Sequence, residues 1–129
     1  MNPKKIWANL AVKDLERTEK FYTAIGFKRN GKPNKELVSF FVGEKDFIVH
    51  FFLEEVLNKF LNGELADLKH GSEIIFTLSA DTKDEVNIWA EEVRNAGGTI
   101  LSEPEEFGEG YYGFSFADTD GHKWNVFYM

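Results

Sequence analysis

Apolar residues in this chain follow two alternating rhythms. From Lys5 to Val12 (KIWANLAV) they fall on every second position: Ile6, Ala8, Leu10 and Val12 share one face, and Trp7, Asn9 and Ala11 the other. That is the period of a strand. The spacing then lengthens. Asp14 is placed to cap a helix from Leu15 to Ile25, with Leu15, Phe21, Tyr22 and Ile25 on its apolar side and Gly26 to end it. Phe27-Lys28-Arg29 starts a short strand, and the polar run Asn30 to Glu36 reads as a loop. Two strands follow, Leu37 to Val42 and Phe47 to Leu53, across a turn at Gly43-Glu44-Lys45-Asp46. Their near-continuous aromatic and β-branched residues predict burial on both faces. Glu55 to Leu61 fits a short helix with Val56, Leu57, Phe60 and Leu61 turned inward, and Asn62 to Gly71 has the composition of a linker.

The order then starts again. Glu73 to Ser79 (EIIFTLS) alternates as a strand, with Ile74, Phe76 and Leu78 on one face. A helix from Lys83 to Ala96 carries Val86, Trp89, Ala90 and Val93 at helical spacing and stops at Gly97-Gly98. Thr99-Ile100-Leu101 is a short strand, and Glu103 to Gly110 an acidic loop. The last nineteen residues, Tyr111 to Met129, are two aromatic strands around Asp118-Thr119-Asp120-Gly121, a turn with local side-chain acceptors and a glycine. Both halves therefore read strand, helix, glycine stop, strand, loop, hairpin, and the unit recurs from Asp14 to Asp81. The expected fold is α+β, a single domain over 1–129 with module one at about 4–61, a linker at about 62–71 and module two at about 72–129. Two βαβββ modules, side by side or exchanged between chains, would form a curved mixed sheet around a cleft with the helices outside.

Composition narrows the function classes. With 129 residues, 43% hydrophobic content and 13 phenylalanines, the chain can bury a real core. It holds no cysteine, which excludes a disulfide framework, a thiol nucleophile and a thiolate metal site. A net charge of −7, from 22 acidic and 15 basic residues, argues against a nucleic-acid partner and permits a cationic ligand. Apolar runs broken by Asp46, His50 and Glu54 fall short of a membrane span, and Met-Asn-Pro-Lys-Lys leads into no apolar signal region. The expectation is a cytoplasmic protein with no membrane partner.

Strand parity picks out a candidate surface. If Ile6, Leu10 and Val12 pack under a helix, Trp7, Asn9 and Ala11 point into the cleft. The same rule sends Glu73, Ile75, Thr77 and Ser79 there, and with them Lys123, Asn125 and Phe127 of the last strand. Polar Asn9, Glu73, Thr77 and Asn125 thus gather beside aromatic Trp7 and Phe127, as a small-molecule pocket requires. Trp7 either stacks on a ligand or fills space. His50, set among phenylalanines, is either a hydrogen-bonded structural histidine or half of a catalytic acid–base pair in which Glu73 orients the imidazole. Tyr111 and Tyr112 follow Gly108-Glu109-Gly110, as a movable lid or as core tyrosines. Glu103, Glu105, Glu106 and Glu109 either steer a cation or form a solvated loop, and His122 steadies the hairpin end.

Two stretches, NLAVKDLERTEKFYTAIGF (Asn9 to Phe27) and FADTDGHKWNVF (Phe116 to Phe127), carry a resemblance, joined by SEIIFTLSADTKDEV and NAGGTI between them. They resemble the vicinal oxygen chelate superfamily, which includes glyoxalases, extradiol dioxygenases and bleomycin-resistance proteins. The resemblance implies paired βαβββ modules and a homodimer. In metal-dependent members, four cleft-facing side chains, usually His, Gln or Glu, bind a divalent ion. Those positions correspond here to Trp7, the neighbourhood of His50, Glu73 and Asn125. An indole cannot ligate and an Asn amide is a poor transition-metal donor, which leaves only His50 and Glu73. A catalytic site typically has at least three protein ligands and an open position. The implied function is a metal-independent small-molecule binder, similar to the bleomycin-resistance branch, with no cofactor. Its ligand, a small molecule that the net charge permits to be cationic, would meet Trp7, Asn9, Thr77, Tyr111, Tyr112, Asn125 and Phe127. The alternatives are a metal-dependent lyase, isomerase or dioxygenase with a reduced ligand set, and a dimeric interaction module with no small ligand.

Overall fold

Alternation in Trp7–Val12 makes strand β1, and Asp14 then turns the chain into helix α1, Leu15–Ala24. The Asp14 carboxylate accepts from the Arg17 amide at 3.0 Å, and the Thr18 hydroxyl donates to the Asp14 carbonyl at 2.9 Å. Two of the amide and carbonyl groups at the helix start are thereby engaged. β2 (Lys28–Arg29), β3 (Leu37–Val42), β4 (Phe47–Leu53) and the short α2 (Glu54–Phe60) complete the first half. Its sheet has the order β1-β4-β3-β2, with β1 parallel to β4 and the other pairs antiparallel. The computed structural model describes residues 1–129 and resolves into two compact units, Met1–Leu65 and Ala66–Met129, here module one and module two.

In module one, α1 covers one sheet face with Phe21 and Tyr22, both essentially inaccessible. The Tyr22 ring stacks on Phe51 at 4.4 Å and meets Phe40 at 5.6 Å. Burying each such ring contributes about 2–3 kcal/mol. Only this face is sealed: Phe40 and Phe51 are buried, whereas Phe41, Ile48 and Phe52 on the other face are half-buried. Burial on both faces of β3 and β4, expected from their composition, is therefore not what forms. α2 departs in the same way. It has no side-chain cap and no buried residue, and Phe60 is 74% exposed.

Module two repeats the plan with β5 (Ile75–Ala80), α3 (Lys83–Asn95), β6 (Thr99–Glu106), β7 (Tyr112–Ala117) and β8 (Lys123–Tyr128) in the order β5-β8-β7-β6. α3 buries Val86, Ala90 and Val93 over a layer in which Trp124 lies 4.8 Å from Phe76 and parallel to Phe116. The α3 cap is Thr82, accepting from Glu85 at 3.1 Å, so Asp14 corresponds to Thr82 and not to Asp81. β5 starts only at Ile75, leaving Glu73 in an exposed bend. β6 runs on to Glu106, so Glu103, Glu105 and Glu106 are strand residues and not loop residues. At the hairpin turn, the Asp118 carboxylate accepts from the amides of Asp120 and His122, both at 2.9 Å. Asp118 and His122 are both buried there. The α+β reading with two βαβββ modules holds, and no helix is long and apolar enough to cross a membrane.

Candidate functional site

Register places the functional side chains in rows across each open sheet face, the face away from the helix. In module one, Asn9 pairs with His50 and His50 with Ser39. Asn30 extends the row, its Nδ2 donating to Ser39 Oγ at 3.1 Å. In module two, Thr77 pairs with Asn125 and Asn125 with Ser115. Ser102 extends that row through a 2.8 Å bond to Ser115 Oγ, and Asn125 Nδ2 reaches Thr77 Oγ1 at 3.5 Å. His50 and Asn125 thus occupy the same place in the two modules. By the same register Trp7, paired with Ile48, corresponds to Ile75, paired with Lys123. The position matching Trp7 is Ile75, and Glu73 falls outside the sheet.

His50 is unusual within its row. Its Nδ1 is buried and has no hydrogen-bond partner, and the ring meets Phe52 edge-on at 5.9 Å. Burial lowers its pKa below the ordinary histidine value, so the imidazole is neutral at neutral pH. A proton on Nδ1 would be a buried donor with no acceptor, which costs about 1–3 kcal/mol. His50 stands on module one and Glu73 on module two, and within module one burial alone sets the state of the imidazole.

Module two has a cavity of about 500 Å³ lined by Thr77, Leu78, Ser79, Phe107, Tyr111, Phe127 and Met129. No charged side chain lines it. Phe107 meets Phe127 edge-on at 5.5 Å, and the loop that follows closes back when the Phe107 amide donates to the Tyr111 carbonyl at 2.8 Å. Gly108 and Gly110, both at positive φ, let that short loop turn.

The two lid tyrosines separate. Tyr111 lines the cavity, whereas Tyr112 lies toward α3, its hydroxyl donating to Asn87 Oδ1 at 2.7 Å with Lys83 Nζ 5.4 Å from its ring. Lys83 also binds Glu106 at 2.6 Å, and Arg94 holds Glu103 through two bonds at 2.7 and 2.9 Å. Bonding to these glutamates raises both basic groups above their ordinary pKa. Half of the acidic set expected to steer a ligand is thus tied to α3, while Glu105 stands in register with Gly113.

Of the residues proposed from sequence, Thr77, Tyr111 and Phe127 meet at the cavity. Asn125 adjoins Thr77, and Trp7, Asn9 and His50 share the open face of module one. Ser39, Asn30, Ser115, Ser102 and Phe107 escaped notice. Their one signal was a serine set among aromatics in VSFF and GFSF.

The chain resembles proteins whose structures are known. A hypothetical protein from S. aureus is 30% identical, with a TM-score of 0.87 over 100% of this chain and 96% of that one. A glyoxalase-related enzyme from Fulvimarina pelagi is 21% identical, TM-score 0.83, over 98% of this chain and 89% of the other. A lactoylglutathione lyase from Agrobacterium tumefaciens is 20% identical, TM-score 0.70, over 98% and 95%. No curated protein is a significant match. The model of one family matches residues 6–126, nearly the whole length. The chain belongs to the glyoxalase/bleomycin resistance protein/dioxygenase superfamily.

Proposed function

We propose that this protein is a metal-independent binder of a small organic molecule, held in the aromatic cavity of module two. The observation that carries the reading is the cavity itself: three aromatic rings, Phe107, Tyr111 and Phe127, with the hydroxyls of Thr77 and Ser79 to orient a ligand. An apolar wall with few convergent polar groups suits a compact, largely aromatic molecule. With no charged side chain in the lining, the ring faces are the side-chain groups that would meet any cationic character of the ligand.

The donor set does not fit the divalent ion of the family's metalloenzymes. The corresponding positions hold Trp7, His50, Ile75 and Asn125. No three His, Asp or Glu side chains gather where they could hold a metal. His50 itself is poorly prepared, because a metal-bound histidine almost always donates its other N–H to a carboxylate, carbonyl or water. Here that nitrogen is Nδ1, buried without a partner.

The protein also acts as a homodimer in this reading. Trp7 and Ile75 are each 52% exposed, on sheet faces that a second copy would cover. Light scattering that shows a monomer at micromolar concentration overturns the dimer.

A thermal-shift panel of small aromatic metabolites and antibiotics, run on the native chain and on Phe127→Ala, tests the binding reading. At least one compound raises the melting temperature of the native chain and not of the variant. A panel in which every compound leaves both unchanged overturns it.

A further inference from the structure

We propose that Lys83 and Asn87 of α3 are positioning residues for the module-two cavity: from the opposite side of the sheet they clamp the two ends of the loop that closes it. That loop, 107–111, joins β6 to β7 and carries Phe107 and Tyr111, two of the three rings in the cavity wall. Its ends are the last rung of the β6–β7 ladder, Glu106 paired with Tyr112. Both of these side chains turn to α3. Lys83 Nζ binds the Glu106 carboxylate at 2.6 Å and lies 5.4 Å from the centre of the Tyr112 ring. The Tyr112 hydroxyl donates to Asn87 Oδ1 at 2.7 Å. Lys83 and Asn87 stand about one helical turn apart on the same face, so a single turn of α3 grips both ends of the loop.

The loop has little else to hold it. A Cβ on Gly108 or Gly110 would meet nothing within 4 Å, so the backbone there stands clear of the rest of the module. Closure of the loop rests on the Phe107 amide bonded to the Tyr111 carbonyl at 2.8 Å and on the edge contact of Phe107 with Phe127. Both glycines have positive φ and give the backbone two pivots. Separating Glu106 from Tyr112 swings Phe107 and Tyr111 apart and breaches the wall, and the clamp opposes that separation. Its strength therefore sets how often the cavity opens to admit or release a ligand. Neither Lys83, Asn87, Glu106 nor Tyr112 lines the cavity, so the control is exerted from outside it. What the cavity is for rests on the binding reading above. The clamp is tested without ligand, so either can fail alone.

Amide hydrogen exchange of the free, full-length chain reads loop opening at the Phe107 amide and global opening at Ala90, buried in the middle of α3. Asn87→Ala and Tyr112→Phe each remove one neutral hydrogen bond and speed exchange at Phe107 about fivefold. Lys83→Met removes an exposed ion pair and speeds it about threefold. Ala90 exchanges no faster in Asn87→Ala, because alanine favours a helix more than asparagine does. A merely structural role would move both amides together. Arg94→Met is the control: it breaks a comparable exposed pair, with Glu103 farther back on β6, and leaves Phe107 unchanged. Three results would overturn the proposal. They are a Phe107 amide that exchanges at the free-peptide rate in the native chain, Phe107 rates that Asn87→Ala and Lys83→Met leave alone, and an Arg94→Met variant that speeds Phe107 as much as Lys83→Met does.

Discussion

Gly113 lies directly beneath Phe127. A Cβ built on Gly113 would stand 2.1 Å from the Val126 carbonyl oxygen and 2.5 Å from Phe127 Cδ1. The missing side chain on β7 is what lets the ring of the neighbouring strand lie across it and meet Phe107. Gly113→Ala must therefore move backbone as well as ring. The expected cost is about 3 kcal/mol, at the upper end for overpacking, or roughly 10 °C in melting temperature. Thermal unfolding checks the loss. A melting point within 2 °C of the parent's (about half a kcal/mol) would show that the strands have room.

The two helix caps predict a matched pair of effects. Asp14 and Thr82 each accept from the amide three residues on, at 3.0 and 3.1 Å. Asp14→Ala and Thr82→Ala should each destabilise by about 1 kcal/mol, while Asp81→Ala should cost clearly less than Thr82→Ala. Urea unfolding of the three variants measures this. A larger effect at Asp81 would mean that the cap has been misassigned.

Buried His50 predicts a pH dependence with a definite sign. Its folded pKa lies below the ordinary 6.5, so on acidification the unfolded chain takes up this proton first. Stability is unaffected by the group above about pH 6.5 and falls as pH drops from there toward the lowered folded pKa. His50→Phe should flatten that part of the profile. Denaturant midpoints of the two proteins between pH 7.5 and 5 decide it, and parallel slopes would remove His50 as their cause.

Added metal should leave the fold untouched. A micromolar site exposed to 100 times its Kd would add about 2.7 kcal/mol of stability. Ni, Zn, Mn or Fe at about 0.1 mM should give no such gain, because Trp7 and Ile75 stand where the first and third donors would be. A rise of several degrees with one ion would restore the metal-dependent reading.

Much of this architecture was legible because it is local. The alternation in KIWANLAV, the Asp14 cap and the turn around Asp118 each depend on residues a few positions apart, and all three appear where expected. Parity likewise placed Trp7 with Asn9 and Asn125 with Phe127. Errors arose where one residue of phase mattered. Taking Asp81 rather than Thr82 as the counterpart of Asp14 displaced the comparison between modules by one residue. Extension of β6 through Glu106 was hidden because its pairing with β7 is interrupted by register shifts that blur the period.

The sequence by itself determined the repeat, the order of its elements and the residue types offered to each sheet face, since these follow from periodicity and chain stiffness. Only the tertiary structure decided which polar groups find partners. Ser39 meets Asn30, Ser115 meets Ser102, and His50 Nδ1 is left with none. It also decided that Tyr111 and Tyr112, adjacent in the chain, serve opposite faces. The physical reason is that a hydrogen bond between strands depends on register and ångström-scale distance, and both are set by packing far along the chain.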